Sequence, residues 1–415
     1  MQLSINYHGF FNGNFGISEA TRLNALALEN VGIKVNRINY SSETFERIDN
    51  ISSTEYKTSI NVFHININFI NDFFSKNQNL DLNNHYNIIY WAWEFPEVSD
   101  KVIEILNVFD ELWVPSDFCV NIFTKYTGIP VIRFSHPIQR LEESTDFDLK
   151  QYNISQNSKI YLTIFDSLST TVRKNPEATL EAFTSVFKDN KESILIVKTH
   201  NLERSKDAQK ALEKYSDISN IIIINDHFSK EKLHSLIQQS DVLISLHGSE
   251  GFGLTMAEAM AYGKIVIGTG YSGNLDFMNV NNSFLIQYDF IKTSNTKGLI
   301  DEGLTLAKPR LNDAVEKLKY IKSNFFNLNN LRKNAKHQIA TNFSIESIGE
   351  LFKIRLNFIN DFYKEENKSS KDVNNVFYLS EIEKLNKKVS YLERNFYNKA
   401  RKKVNIFLKK IKGKE

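Results

Sequence analysis

Two glutamates, Glu250 and Glu258, stand on either side of a Gly-Phe-Gly turn in HGSEGFGLTMAEAM (247–260). The glycines let the main chain come close to a ligand. Free backbone N–H groups at a helix start, with the positive end of the helix dipole, favour an anion such as phosphate. A carboxylate accepts hydrogen bonds from hydroxyls, and sugars and ribose carry adjacent hydroxyls. The stretch reads as phosphate in the middle with a polyol on either side. Glu250 lies in the loop and Glu258 about a turn and a half into the helix, so they would contact different parts of one extended ligand. The plainer reading is a helix with a Gly-rich turn and an exposed Glu.

A second group sits in FDSLSTTVRKNPEATLEAF (165–183), where Arg173 and Lys174 precede Asn175-Pro176. Pro at a first turn followed by Ala, Leu and Phe predicts a helix start. Two cations beside that start suit a diphosphate; a solvated pair is the alternative. In HGFFNGNFGISEATRLNALALENVG (8–32), Gly13 and Gly16 lie between a strand and an amphipathic helix without the G-x-G-x-x-G dinucleotide spacing, which reads as a loop facing a cleft. His64 and His136 read as ordinary polar residues at strand ends. Cys119, the single cysteine, reads as a small buried hydrophobe and excludes an internal disulfide. The DFD at 146–148 falls in a linker, and no metal site is expected.

The elements that position these residues alternate. Short β-branched runs at 3–7, 34–38, 60–66, 86–92, 111–116 and 129–134, and again at 159–165, 193–199, 220–225, 241–247, 264–269 and 283–287, are separated by helix-like stretches. This is the pattern of parallel sheets covered on both faces. The fold class is α/β, two doubly wound Rossmann-like domains facing a cleft, with a C-terminal helical tail. The boundaries fall at 1–137, a polar linker 138–157, and 158–342. A helix follows from 343 to 365, for which the pair Ser347 and Glu350 has the spacing of a capping box.

The total charge of +2 on 415 residues implies no nucleic-acid partner. The imbalance is local: 381–415 holds 12 basic and 4 acidic residues, net +8, which leaves 2 − 8 = −6 on 1–380. Within the tail 376–415, Tyr378, Ile382, Leu385, Val389, Leu392 and Phe396 form a short heptad seam that suits homo-oligomerisation. Val404, Phe407, Leu408 and Ile411 share a helical face ringed by lysines, so 396–412 suits an anionic membrane surface. The start of the chain lacks a signal-peptide pattern, and no run approaches the ~18 to 20 apolar residues of a spanning helix. The expected location is cytoplasmic, at the inner face of the cell membrane.

EGFGLTMAEAM resembles the E-x7-E signature of retaining glycosyltransferases of family 4, and the resemblance extends over about residues 1–365 through the N-terminal Gly-rich loop, RKNP, and the segment 228–277. It implies the GT-B fold, with an N-terminal acceptor domain, a C-terminal nucleotide-sugar donor domain, and a last helix returning to the first domain. By the resemblance Glu250 would hold donor-sugar hydroxyls and Glu258 the ribose. The amides of Gly251, Phe252, Gly253 and Leu254, beside Ser249, would meet the sugar and β-phosphate. Lys174 and Arg173 would meet the diphosphate, with Gly16, Gly273 and Asn274 lining the same cleft. The chain departs from the family twice. FDSLS replaces a frequent Gly-Arg, so Arg173 would supply that charge. Trp93 and Glu94 stand where many members carry a His, so no catalytic His is carried over, and both become candidates for sugar or acceptor contact. The implied activity is retaining, metal-independent transfer of a hexose, without cofactor, from a UDP- or GDP-sugar to a saccharide or lipid-linked saccharide in bacterial surface-polysaccharide synthesis. The alternatives are a GT-B nucleotide-sugar epimerase and a non-catalytic glycan-binding or scaffolding protein.

Overall fold

The computed structural model describes residues 3–13, 15–40, 58–77, 80–188, 190–293 and 303–362. The first sheet comprises β1 (Ser4–Gly9), β2 (Lys34–Asn39), β3 (Ile60–His64), β4 (Tyr86–Tyr90), β5 (Glu111–Val114) and β6 (Val131–Arg133). The second comprises β7 (Lys159–Ile164), β8 (Ser193–Thr199), β9 (Ile221–Asn225), β10 (Val242–Ser245), β11 (Ile265–Thr269) and β12 (Phe284–Ile286). Both sheets are wholly parallel, in the orders β2-β1-β3-β4-β5-β6 and β12-β11-β10-β7-β8-β9. Strands such as Ile60–His64 and Ile265–Thr269 are buried along their whole length, because helices cover both faces. The two-domain α/β fold expected from the sequence is thus the fold observed.

The strand orders decide where ligands can sit. Each sheet reverses its direction of growth once, between β1 and β3 in the first and between β7 and β10 in the second. At such switch points the loops leaving neighbouring strands diverge and open a crevice beyond the carboxyl ends. The loops after β7 and β10 are the ones that carry Arg173-Lys174 and Glu250, while β1 leads to the helix that opens at Gly16 and β3 ends at His64.

Three features depart from the sequence reading. β12 runs into an antiparallel hairpin, β13 (Tyr288–Thr293) with β14 (Leu304–Pro309), which the strand pattern did not predict. Its Leu304 and Leu306 are buried among first-domain side chains, including Phe63, Trp91 and Trp93. The last described helix, Ile345–Phe362, begins one box earlier than expected: Ser344 Oγ accepts from Ser347 N–H at 3.1 Å, so Ser344 and not Ser347 is the cap. That helix packs Ile348, Phe352, Leu356 and Ile359 onto the first domain, and Arg355 donates to the buried Glu111 at 2.5 Å. The third concerns 138–157, which is less a free linker than a strap on the second domain. Phe147 is buried there and its N–H donates to Ser235 Oγ.

Among the described residues no helix is long and apolar enough to cross a membrane, and no group of His, Cys, Asp and Glu could hold a metal ion. The expectations for the tail, the seam at 378–396 and the basic face at 396–412, lie outside the described residues.

Candidate active site

The segment between β10 and the helix Leu254–Ala261 is shaped by its glycines. Gly253 has φ +98°, a left-handed turn that an L side chain resists, and it launches the helix with its first N–H groups open. Gly273 sits behind the loop so closely that a Cβ there would lie 2.2 Å from the Gly251 carbonyl oxygen. Its N–H donates to Glu250 O at 2.9 Å, and Glu250 N–H donates to Ser272 Oγ at 2.8 Å. Ser272 itself is held at φ +78°, unusual for a residue with a side chain. His247 bonds Asn274 Oδ1 at 3.2 Å, so Asn274 also acts from behind.

The cations arrive from the other side of the switch point. A single helical turn, Thr171–Lys174, is broken by Asn175 at φ +47°, and Pro176 opens the next helix, Pro176–Phe187. Asn175 donates to Leu246 O at 2.9 Å and Gly248 N–H to Arg173 O at 2.6 Å, which ties this turn to the Glu250 loop. Lys174 Nζ then lies 2.6 Å from Glu250 Oε1, Arg173 Nη1 3.3 Å from Glu250 Oε2, and Arg173 Nη2 3.7 Å from Glu94 Oε1. Burial would raise the Glu250 carboxyl, but Lys174 and Arg173 outweigh it and hold it down at about 2. Glu258 has no such cation. Burial, reinforced by the charge of Glu19, pushes its carboxyl up to about 8 against the partial relief offered by Lys230.

These groups surround a cavity of about 440 Å³ between the two sheets. Of the residues singled out in the sequence, Arg173, Lys174, Glu250, Gly251, Phe252, Gly253, Leu254, Glu258, Gly16 and Glu94 line it. Four do not. Ser249, Gly273 and Asn274 are buried behind the loop, supporting rather than lining. Trp93 is a core residue, 3% exposed, whose Nε1–H donates to Glu97 O, so it offers no face to a sugar. Cys119 is buried as expected, and burial pushes its thiol up to about 12.

The cavity also has walls built by residues with no evident role in the sequence. His64 and His136, read as ordinary strand-end residues, both line it. Glu19 follows Gly16 by one turn of helix Gly16–Asn30 and meets Lys230 of the second domain at 2.6 Å across the cleft. Asp166 and His200, the residues just beyond β7 and β8, pair at 3.4 Å. Burial would raise Asp166, yet hydrogen bonds from His200 and the Leu168 amide bring it to about 2. Their common signal is position: each follows the carboxyl end of a strand or opens a helix there.

The chain has the same fold as several solved proteins. It matches sucrose-phosphate synthase from Thermosynechococcus elongatus at 12% identity and TM-score 0.66, over 87% of this chain and 100% of that one. A glycosyltransferase from Rickettsia africae ESF-5 matches at 14% identity and TM-score 0.63, with the same coverages of 87% and 100%. Anabaena HepE in complex with UDP and glucose matches at 9% and 0.59, over 86% and 100%. No curated protein matches the sequence. The loops that build the cavity wall in the second domain, from Asp166 through Glu258, fall within residues 145–338, and this stretch matches the model of the family described as Glycosyl transferases group 1.

Proposed function

We propose that the protein is a retaining, metal-independent glycosyltransferase acting on a nucleotide-diphosphate sugar. It passes a hexose from a UDP- or GDP-sugar to a saccharide or lipid-linked saccharide, in the cytoplasm at the inner face of the membrane, during synthesis of a bacterial surface polysaccharide. The observation that carries this reading is the Glu250 carboxylate between Lys174 and Arg173, beside the open start of helix Leu254–Ala261. An arriving diphosphate competes with Glu250 for the two cations and has the helix N–H groups beyond them. Glu250, relieved of part of its pairing, then accepts from sugar hydroxyls. Glu258 faces the ribose.

A carboxyl held at about 2 is a poor base and is never an acid at neutral pH, so Glu250 binds rather than transfers protons. In front-face transfer the leaving diphosphate itself takes the acceptor's proton as the glycosidic bond to it breaks and the new one forms. Arg173, Lys174 and the helix start stabilise the charge that develops on it. HepE, whose structure holds UDP and glucose, is a precedent on this fold for the donor class. The test is transfer from a panel of UDP-, GDP- and dTDP-sugars. Glu250→Ala and Lys174→Ala are expected to lose transfer by about a hundredfold or more while the protein stays folded. Full activity in both variants would sink the assignment.

A further inference from the structure

Two imidazoles in the cavity wall have no part in the reading above. His64 ends β3 and His136 follows β6, and their rings lie parallel, 8° apart in plane, with centroids 6.0 Å apart. The His136 ring meets Phe252 edge-on at 5.3 Å, so it stands against the loop that carries Glu250. Each Nδ1 is anchored by a buried tyrosine: His64 by Tyr7 OH at 3.0 Å, His136 by Tyr90 OH at 3.1 Å. Nδ1 is the atom by which the protein holds each ring, and both rings line the cavity.

The two tyrosines hold their rings in different ways. Tyr90 has one hydroxyl proton and donates it to Phe134 O at 2.5 Å. Toward His136 its oxygen can only accept, so the proton of His136 is on Nδ1 and its Nε2 carries a lone pair. Tyr7 OH accepts from Asn24 Nδ2 at 3.2 Å and lies 3.0 Å from His64 Nδ1, where it can donate its proton. With that donation His64 carries its own proton on Nε2, the tautomer opposite to that of His136. Burial keeps both rings neutral, His136 down at about 3 and His64 well below its usual value, where His136 adds to the effect.

A donor and an acceptor set side by side on parallel rings match a group that both donates and accepts. We propose that His64 and His136 together bind one sugar hydroxyl, His64 donating from Nε2–H and His136 accepting at Nε2. The proposal rests on the glycosyl-transfer reading, and the hydroxyl belongs either to the donor sugar or to the saccharide acceptor.

Nitrogen-15 NMR of imidazole-labelled protein without ligand tests the tautomers. The expected spectrum has His136 protonated at Nδ1 and His64 at Nε2, and a shared tautomer would overturn the proposal. Calorimetry then compares UDP, GDP, UDP-glucose, UDP-N-acetylglucosamine and GDP-mannose on the wild type and His136→Phe, which keeps a ring against Phe252. If the hydroxyl is the donor's, the gain in affinity of sugar nucleotide over bare nucleotide falls about tenfold in the variant, with nucleotide affinity unchanged. If it is the acceptor's, that gain persists, while KM for transfer to methyl hexosides rises about tenfold and hydrolysis of the donor stays the same. A variant altered in neither respect overturns the proposal. A wild type that binds no nucleotide overturns the glycosyl-transfer reading, and this one with it, whereas the ligand-free spectrum can fail by itself.

Discussion

Glu250 and Glu258 have opposite electrostatic fates. Glu250 is ionised by two cations from one turn of chain. Glu258 lies 3.8 Å from a His234 that burial holds down at about 4, and it feels the charge of Glu19 from the other domain. The positions of both acids are legible in E-x7-E, but the protonation of Glu258 is not, because Glu19 and Lys230 reach it only through the fold. The consequence for stability has a definite sign. The folded carboxyl titrates near 8 and the ordinary value is 4.5, so the advantage of the neutral form is complete below pH 4.5 and is lost as pH rises toward and through 8. Glu258→Gln is neutral throughout. In the ligand-free protein it should leave the melting temperature near that of the wild type at pH 4.5 and raise it by pH 8, a gain on the order of a few kcal/mol. The same variant should bind nucleotide more weakly, by about tenfold, as a carboxyl that can ionise on binding and accept from two hydroxyls is replaced by an amide. A melting difference of equal size at both pH values would refute the burial argument.

At the scale of elements, strand periodicity locates all twelve strands of the two sheets, because buried parallel strands announce themselves as short β-branched runs between helices. The hairpin of β13 and β14 escapes that signal. In YDFIKT the apolar residues are interrupted by Asp289 and Lys292 and none is fully buried, and its partner's buried face meets the other domain instead of its own sheet. Loop packing escapes it too. Gly273 and Asn274 read as cleft residues, whereas they work as the back support of the Glu250 loop. This makes two glycines a matched test. Gly273→Ala puts a Cβ 2.2 Å from a backbone oxygen that cannot swing aside, so the loop must move. It should lower stability by about 1–3 kcal/mol and abolish nucleotide binding. Gly16→Ala has nothing within 4 Å of the new Cβ and begins a helix. It should leave stability unchanged or slightly higher, and weaken binding only if ligand backbone contact at the cavity wall is real. Thermal unfolding and calorimetric titration of the two variants separate loop support from direct contact.

For the whole molecule, the two domains are joined by more than a cleft. Thr305 of the hairpin donates to Glu97, Asp276 accepts from the Asp117 N–H at 3.1 Å beside Arg133, and Lys230 meets Glu19. None of these pairings is legible along the chain, since each joins residues more than a hundred positions apart whose types are common on any surface. The hydrophobic part of the seam permits a direct measurement. All three tryptophans, Trp91, Trp93 and Trp113, belong to the first domain, so their fluorescence reports that domain alone. Leu306 comes from the second domain but is fully buried in the cluster that holds Trp91 and Trp93. Leu306→Ala should therefore lower the tryptophan-reported unfolding midpoint by the equivalent of about 2–5 kcal/mol, the range for a cavity of this kind. Leu212→Ala, in a cluster made only of second-domain residues, supplies the comparison. If the seam couples the domains into one cooperative unit, Leu212→Ala also shifts the tryptophan signal, and calorimetry shows a single transition. A tryptophan transition that moves with Leu306→Ala but ignores Leu212→Ala would mean that the hairpin is a component of the first domain's core while the rest of the second domain unfolds separately. A transition indifferent to both would remove the hairpin from any account of how the cleft is held.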